Sequence, residues 1–141
     1  MRDWKGHPAE RDVAEDMMNR LLLTLLLLFG TCTVAVADDL NDGIAAYRSN
    51  DYATAFAKFT KAAEAGNADA QGRLASMYAV VHGVPQDFVQ AYKWFNIAAS
   101  TDTDKEERDR SVRSRDLVSG KMTPNQIAEA HRLAREWKPK K

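Results

Sequence analysis

A gapless internal repeat is the feature of this sequence that most constrains its fold. The segment DYATAFAKFTKAA at residues 51–63 aligns with DFVQAYKWFNIAA at residues 87–99, an offset of 36 residues. Counted from Tyr52 and from Phe88, the matched residues fall at i, i+3, i+4, i+7 and i+11, which places them on one face of a helix. Large aromatic side chains alternate with alanines on this face, so a neighbouring helix can approach closely. The repeat predicts two helical units that stack on each other.

Each repeated helix follows another predicted helix, so the unit is a helical hairpin. Asp51 and Asp87 stand at the two starts, where a carboxylate caps backbone amides and meets the positive end of the helix dipole. Gly66-Asn67 separates the units as a helix stop. The connection before Asp87 is five residues longer than the one before Asp51 and contains Gly83 and Pro85. The apolar faces of the preceding helices comprise Leu40, Ile44 and Tyr47 in the first unit and Leu74, Met77, Tyr78 and Val81 in the second.

The residues after Ser100 predict a third, divergent hairpin that covers the open end of the stack. Its second helix starts with a capping box, Thr123-Pro124-Asn125-Gln126, and stops before Pro139. The predicted ion pairs of its first helix are Glu106–Arg110 and Asp109–Arg113. The residues that this hairpin offers to a core are Val112, Leu117 and Val118, followed by Ile127, Ala130, Leu133, Ala134 and Trp137.

These features predict an all-α fold, a short right-handed α-α superhelix (solenoid) of helical hairpins. The length of 141 residues suits one domain. Its parts are a polar extension with a signal peptide at 1–37, a first hairpin at 38–66, a second at 67–101, and capping helices with a basic tail at 102–141.

The N-terminal region has the pattern of an export signal. Residues 17–20 supply a short positive stretch, residues 21–29 an apolar core, and Ala35-Val36-Ala37 a small-residue cleavage signature. Residues 1–16 are polar and acidic, so we expect the true start at Met17 or Met18. Cleavage near Ala37 predicts a periplasmic or secreted protein that touches a membrane only through the signal segment. The alternatives are an uncleaved signal anchor and lipidation of Cys32, the single cysteine, which cleavage after Ala37 would remove.

Charge and motifs nominate no reaction. Lys plus Arg and Asp plus Glu each number 20, so no overall field favours nucleic acid. The histidines are His7, His82 and His131, and their spacing matches no metal motif. We expect His82 to be a loop residue and His131 to be solvated on the polar flank of the last helix. No nucleophile elbow or phosphate-binding loop is present, so the sequence predicts a protein that is not an enzyme and has no cofactor or metal.

Residues 68–99 resemble a Sel-one-like repeat, a relative of the tetratricopeptide repeat. The matching positions are Ala68, Leu74, Tyr78, Gly83-Val84, Asp87, Ala91, Trp94-Phe95 and Ala98-Ala99. Residues 39–66 resemble a shortened companion unit, and the tail resembles the closing segment of small exported bacterial proteins of this kind. Two departures are Ala75 in place of the usual glycine and Val81 in place of the first loop glycine, which implies a different loop path.

The resemblance implies an interaction role, because family members serve mainly as adaptors and scaffolds and some are exported regulators. The expected partner is an unidentified protein or peptide, bound in the groove formed by the first helix of each hairpin. A cysteine-rich branch is associated with penicillin binding or hydrolysis, so the alternative is a small cell-wall or β-lactam hydrolase, for which His82 is the residue to test. A third interpretation is an envelope-stability factor without a defined ligand.

The resemblance also assigns residues to the groove and to the repeat core. By its register, the residues expected to face the groove are Arg48, Asp69 and Ser76. Trp94 is expected in the core between hairpins, with ligand stacking as the alternative, and Lys138, Lys140 and Lys141 are expected to form a solvated tail. The full set expected to build the repeat core is Tyr47, Phe59, Leu74, Tyr78, Gly83, Asp87, Ala91, Trp94, Phe95 and Ala98.

Overall fold

The described residues fold into helices joined by turns, with no strand among them, so the fold is all-α. The computed structural model describes Met17 and residues 35–141. The helices are α1, described over 35–48, α2 (Tyr52–Glu64), α3 (Ala68–Ala79), α4 (Phe88–Thr101), α5 (Lys105–Ser119) and α6 (Pro124–Glu136). Residues 36–141 form one compact unit.

Side-chain caps start the helices where the sequence predicts them. The Asp51 carboxylate accepts a hydrogen bond from the Thr54 amide at 3.1 Å, and the Asp87 carboxylate accepts one from the Gln90 amide at 3.0 Å. The capping box at Thr123 is also present, with Pro124 in the first turn of α6. Both repeat aspartates and the capping box are thereby confirmed as helix starts, since each satisfies amides that lack an intrahelical partner.

The two short connections share one geometry. After α1, Asn50 adopts a positive φ of 62°, and the Asp51 amide donates to the Ala46 carbonyl at 2.9 Å. After α2, Gly66 has a φ of 102° and the Asn67 amide donates to the Ala62 carbonyl at 3.1 Å. This pattern satisfies the last helical carbonyls and leads directly into the capping residue of the next helix. The predicted stop at Gly66-Asn67 is confirmed.

The connection between α3 and α4 takes a different path. The prediction that Val81 belongs to the apolar face of α3 is wrong, because α3 ends at Ala79 and the Val81 side chain is 72% exposed. Gly83 adopts a φ of 76°, and a Cβ atom there would lie 2.5 Å from the Cβ of Tyr52. Gly83 is therefore an exposed turn residue that lets the loop approach α2, rather than a member of the core.

Helix α4 lies at the centre of the packing and contacts α3, α5 and α6, while α2 packs on α3. The interlocking of repeated faces is consistent with a short solenoid. Buried Gln71 joins three helices, because its amide group donates to the Ala63 carbonyl at 3.2 Å and accepts from Thr101 Oγ1 at 3.1 Å. The buried apolar residues of the core are Ala55, Phe59, Ala62, Ala63, Ala70, Leu74, Ala75, Met77, Ala91, Tyr92, Trp94, Phe95, Ile97, Ala98, Val118 and Ala130.

Three expectations for the C-terminal part are wrong. The ion pairs of α5 join Glu107 with Arg110 and Lys105 with Asp109, rather than Glu106 with Arg110 and Asp109 with Arg113. Leu117 does not enter the core, since its side chain is 75% exposed. The tail is not wholly solvated, because the Lys140 amide donates to the Glu64 carbonyl at 2.7 Å and its Nζ lies 2.7 Å from the Glu64 carboxylate.

The buried carboxylate of Asp39 forms ion pairs with two more exposed lysines, which the sequence reasoning did not identify. Its carboxylate accepts from Lys61 Nζ at 2.7 Å and from Lys58 Nζ at 3.0 Å. These two hydrogen bonds hold the pKa of Asp39 below its ordinary value, with the Lys61 bond the larger cause. The ion pairs attach the start of the first hairpin to α2.

Most of the predicted signal peptide lies outside the described residues, while the predicted cleavage residues 35–37 are helical and belong to α1. Among the described residues, no helix has the length and apolar character needed to cross a bilayer.

Candidate functional site

One face of α3 is lined by small and polar side chains and forms the floor of a groove between α1 and α5. The lining positions 69, 72, 73 and 76 follow the spacing i, i+3, i+4 and i+7, so they share one side of α3, and Val80 follows at its C-terminal end. Gly72 and Ser76 keep this floor low. Three cavities of about 200, 290 and 190 Å³ lie along it, and Ser76 lines all three.

The first cavity is polar and lies between α3 and α5. Asp69 pairs with Arg73 at 2.9 Å on α3, and Glu107 pairs with Arg110 at 2.9 Å on α5. Because each pair is satisfied within its own helix, charge does not tie α3 to α5 across the groove. Ser111 is buried at the base of this cavity. The walls therefore present charged and hydroxyl groups around an open centre.

The second cavity is apolar and lies at the C-terminal ends of α3 and α5. Val80, Leu117 and Phe88 line it over the buried side chains of Phe95 and Val118. Lys121 is the charged residue of its lining, and its Nζ lies 5.6 Å from the centre of the Phe88 ring. A cation above an aromatic face is held by the ring quadrupole, which keeps the ammonium at the edge of the cavity.

The third cavity extends the groove toward α1. Tyr47 and Phe59 line it together with Arg73 and Ser76 from α3. The Arg73 guanidinium carbon lies 5.9 Å from the centre of the Phe59 ring, so Arg73 covers the aromatic wall while it pairs with Asp69. The groove thus runs from α1 across α3 to α5, the first helices of the three hairpins.

An aromatic cluster holds the α3–α4 loop at the edge of the third cavity. Tyr47 Oη lies 2.9 Å from His82 Nδ1, and the Tyr52 ring stacks on the His82 ring at a centroid distance of 5.0 Å. Tyr47 and Tyr52 also meet edge to face at 5.2 Å. His82 is a loop residue, and its ring connects that loop to the first hairpin.

The three residues expected in the groove differ in where they lie. Ser76 lines all three cavities and Asp69 lines the polar one. Arg48 is exposed at the end of α1 and lines none of these three cavities. The Ser76 hydroxyl donates to the Gly72 carbonyl within α3 at 3.0 Å, so it is satisfied without a ligand.

Most residues expected in the repeat core are buried, but some have other surroundings. Trp94 is 4% exposed and meets Trp137 edge to face at 5.7 Å, so its ring is not open to stack a ligand. Tyr78 is half-buried against Phe56, and burial raises the pKa of the Tyr78 hydroxyl. Buried core members are Phe59, Leu74, Ala91, Trp94, Phe95 and Ala98, half-buried ones are Tyr47, Tyr78 and Asp87, and Gly83 is exposed.

The expectation that His131 is solvated is wrong. Its Nε2 lies 3.0 Å from the Tyr92 hydroxyl, and the two rings pack edge to face at 5.1 Å between α4 and α6. Sequence reasoning also missed the groove residues Arg73, Val80, Leu117 and Lys121. The helical spacing from Asp69 to Ser76 was a usable signal for the α3 face, whereas nothing local indicated that Leu117 points away from the core.

The cavity linings are described by the side chains that they present to a ligand. In residues 35–141 no group of His, Cys, Asp and Glu side chains is arranged to hold a metal ion. The linings of these three cavities contain hydroxyl groups, charged groups and apolar side chains, and His82 stands beside the third cavity through its contact with Tyr47. Such a lining offers hydrogen bonds and apolar contact to a ligand.

A scan against protein-family models finds no match to this chain, and searches of curated proteins and of solved structures also find none. The resemblance to Sel-one-like repeats therefore depends on the residues of this sequence alone.

Proposed function

We propose that this chain is an exported helical-repeat adaptor or scaffold that binds a polypeptide segment in the groove along α3. The observation that carries the proposal is that Ser76 lines three successive cavities between Tyr47 on α1 and Leu117 on α5. A trough made by the first helix of each hairpin is an elongated surface, which suits an elongated ligand.

The dimensions of the groove favour a peptide, whose side chains occupy successive cavities, over a single compact ligand. Its cavities of about 190 to 290 Å³ fall below or at the lower limit of ordinary small-molecule pockets, which span roughly 300–1,000 Å³. Each is open on one side and takes one or two side chains. Polar groups from Asp69 and Arg110 stand at the polar cavity, where a peptide backbone needs hydrogen-bond partners.

Two sequence patterns support the cellular context of this proposal. The resemblance of residues 68–99 to Sel-one-like repeats favours an adaptor or regulatory role in the bacterial envelope. The leader pattern that ends near Ala37 favours export to the periplasm or beyond. Cell fractionation tests the second point, because an exported chain is recovered outside the cytoplasm and shortened at its N-terminus.

Site-specific photo-crosslinking in cells tests the groove. A benzoylphenylalanine placed at Ser76 should capture a reproducible protein band, because this position borders all three cavities. The matched control is the same group at Ser49, which is exposed on the turn after α1. Identical bands from both positions, or none from Ser76, would contradict binding in the groove.

A further inference from the structure

We propose that the apolar end of the groove, formed by Val80, Phe88, Leu117 and Lys121, selects a peptide segment in which a bulky apolar side chain neighbours a carboxylate. The inference rests on the proposed function and names the chemistry of the segment that the groove takes. The observations behind it are the exposure of the apolar side chains at this end, the shape of the second cavity and the charge of Lys121.

The exposed apolar side chains of the compact unit are gathered around this end. Within residues 35–141, the large apolar side chains that are exposed are Val80 at 45%, Val81 at 72% and Leu117 at 75%. Val80 and Leu117 both line the second cavity, and Val81 follows Val80 directly in the chain. Grouped apolar exposure of this kind marks a binding surface, because covering it removes apolar area from water.

The cavity between these residues is shaped for an anchoring side chain. Its volume is about 290 Å³, and its base is formed by the buried rings and branches of Phe95 and Val118. A Leu, Ile, Met or Phe side chain entering it meets the apolar lining that includes Val80 and Leu117. Anchors of this type carry most of the binding energy in peptide and protein recognition.

The charge of the cavity lining determines which peptide residue is favoured beside the apolar anchor. The lining of this cavity includes Lys121 and no acidic residue. At the polar cavity, by contrast, Arg73 and Arg110 are each paired with a carboxylate of their own helix. An incoming carboxylate therefore meets an ammonium at the apolar end, and a basic residue there would meet repulsion.

A peptide segment fits this end better than a second copy of the chain does. A stable dimer interface buries on the order of 800 Å² per partner. Three exposed apolar side chains supply only a part of that area, and the flanking surface of α5 is highly charged. A short segment needs no more than the anchor contact and the ion pair.

Selection from a phage-displayed random peptide library on the full chain tests the inference. The enriched peptides should share a bulky apolar residue within two positions of Asp or Glu. Leu117→Ser should weaken binding of these peptides about tenfold, as expected for loss of an anchor contact. Lys121→Glu should abolish the preference for acidic peptides and enrich basic ones, and high salt should reduce the wild-type preference.

The matched control is Lys105→Glu, an exposed charge reversal at the other end of α5, which should leave the selection unchanged. Enriched peptides without an apolar–acidic pair, or with affinities unaffected by Leu117→Ser and Lys121→Glu, would overturn the inference. If those contradicting peptides nevertheless lose binding to the Ser76→Arg variant, they bind in the groove. The proposed function then stands, and only the proposed preference for an apolar–acidic pair fails. If no peptide is enriched and Ser76 gives no crosslink, both proposals fail.

A second copy of the chain is the other possible occupant. Sedimentation velocity would identify it if it detects self-association that Leu117→Ser removes, and that result would overturn the inference.

Discussion

Tyr47 Oη lies 2.9 Å from Nδ1 of His82, a contact that joins residues 35 positions apart in the chain. It connects the end of α1 to the loop between α3 and α4, the loop whose length and missing glycine distinguish the second repeat from the first. The stacked ring of Tyr52 and the close approach of Gly83 complete the contact. The loop is therefore part of the packing between the two hairpins.

Replacing Gly83 with alanine should destabilise the protein by about 1–3 kcal/mol, because its backbone is in a region that side chains rarely adopt and the new Cβ would lie 2.5 Å from Tyr52. Gly72→Ala is the matched control, since Gly72 is helical and the new Cβ would meet Ser111 Oγ at an ordinary 3.9 Å. Urea unfolding of both variants gives the comparison. Equal stability of the two variants would show that the loop does not depend on Gly83.

Asp39→Asn should lower stability at neutral pH by about 1 kcal/mol, because it removes the charge-assisted hydrogen bonds of a buried carboxylate with Lys61 and Lys58. The pKa of Asp39 is lower in the folded chain than in the unfolded one. Its contribution is therefore complete above the unfolded value and is lost as the pH falls through the folded value.

The difference in unfolding free energy between wild type and Asp39→Asn should accordingly narrow below about pH 4. Asp38→Asn, at the exposed neighbouring position, controls for loss of one negative charge. If the difference in unfolding free energy between wild type and Asp39→Asn stays constant as the pH falls, the ion pairs of Asp39 are not the cause of that difference.

Trp137→Ala should destabilise the protein by about 2–4 kcal/mol, because the ring packs edge to face on buried Trp94 and holds the end of α6 against α4. Removing residues 138–141 should cost much less, since the Lys140 side chain that pairs with Glu64 is 71% exposed. Thermal unfolding measured by circular dichroism distinguishes the two. Comparable losses would mean that the tail, rather than Trp137, anchors this end.

Leu117→Ala and Leu74→Ala should have very different effects on folding. Leu74 is 1% exposed, so its truncation should cost about 2–5 kcal/mol through the cavity it leaves. Leu117 is 75% exposed, so its truncation should change stability by less than about 0.5 kcal/mol. Urea unfolding measures both, and a large loss in Leu117→Ala would show that Leu117 packs in the core.

Helix ends are the part of the structure that sequence reasoning predicts best. The caps at Asp51, Asp87 and Thr123 act on amides within three residues of themselves, so the information is local. The apolar faces of α2 and α4 were likewise readable, because the helical period sets which residues share a face.

Two of the errors concern contacts between residues far apart in the chain. His131 bonds to Tyr92 across 39 positions, and Lys140 bonds to Glu64 across 76. Neither partner is indicated by anything near the histidine or the lysine. The sparse apolar residues of α5 were also ambiguous, since Leu117 and Val118 are adjacent and only one of them can face α4.

The sequence by itself determined the helical class, the starts of α2, α4 and α6 and the repeated packing face, because capping and periodicity act over a few residues. Only the tertiary structure decided that Val118 enters the core while Leu117 faces the groove, and that the polar face of α3 becomes a continuous floor. Those outcomes depend on how α5 is rotated against α3 and α4, and that rotation is set by the summed packing of all three helices.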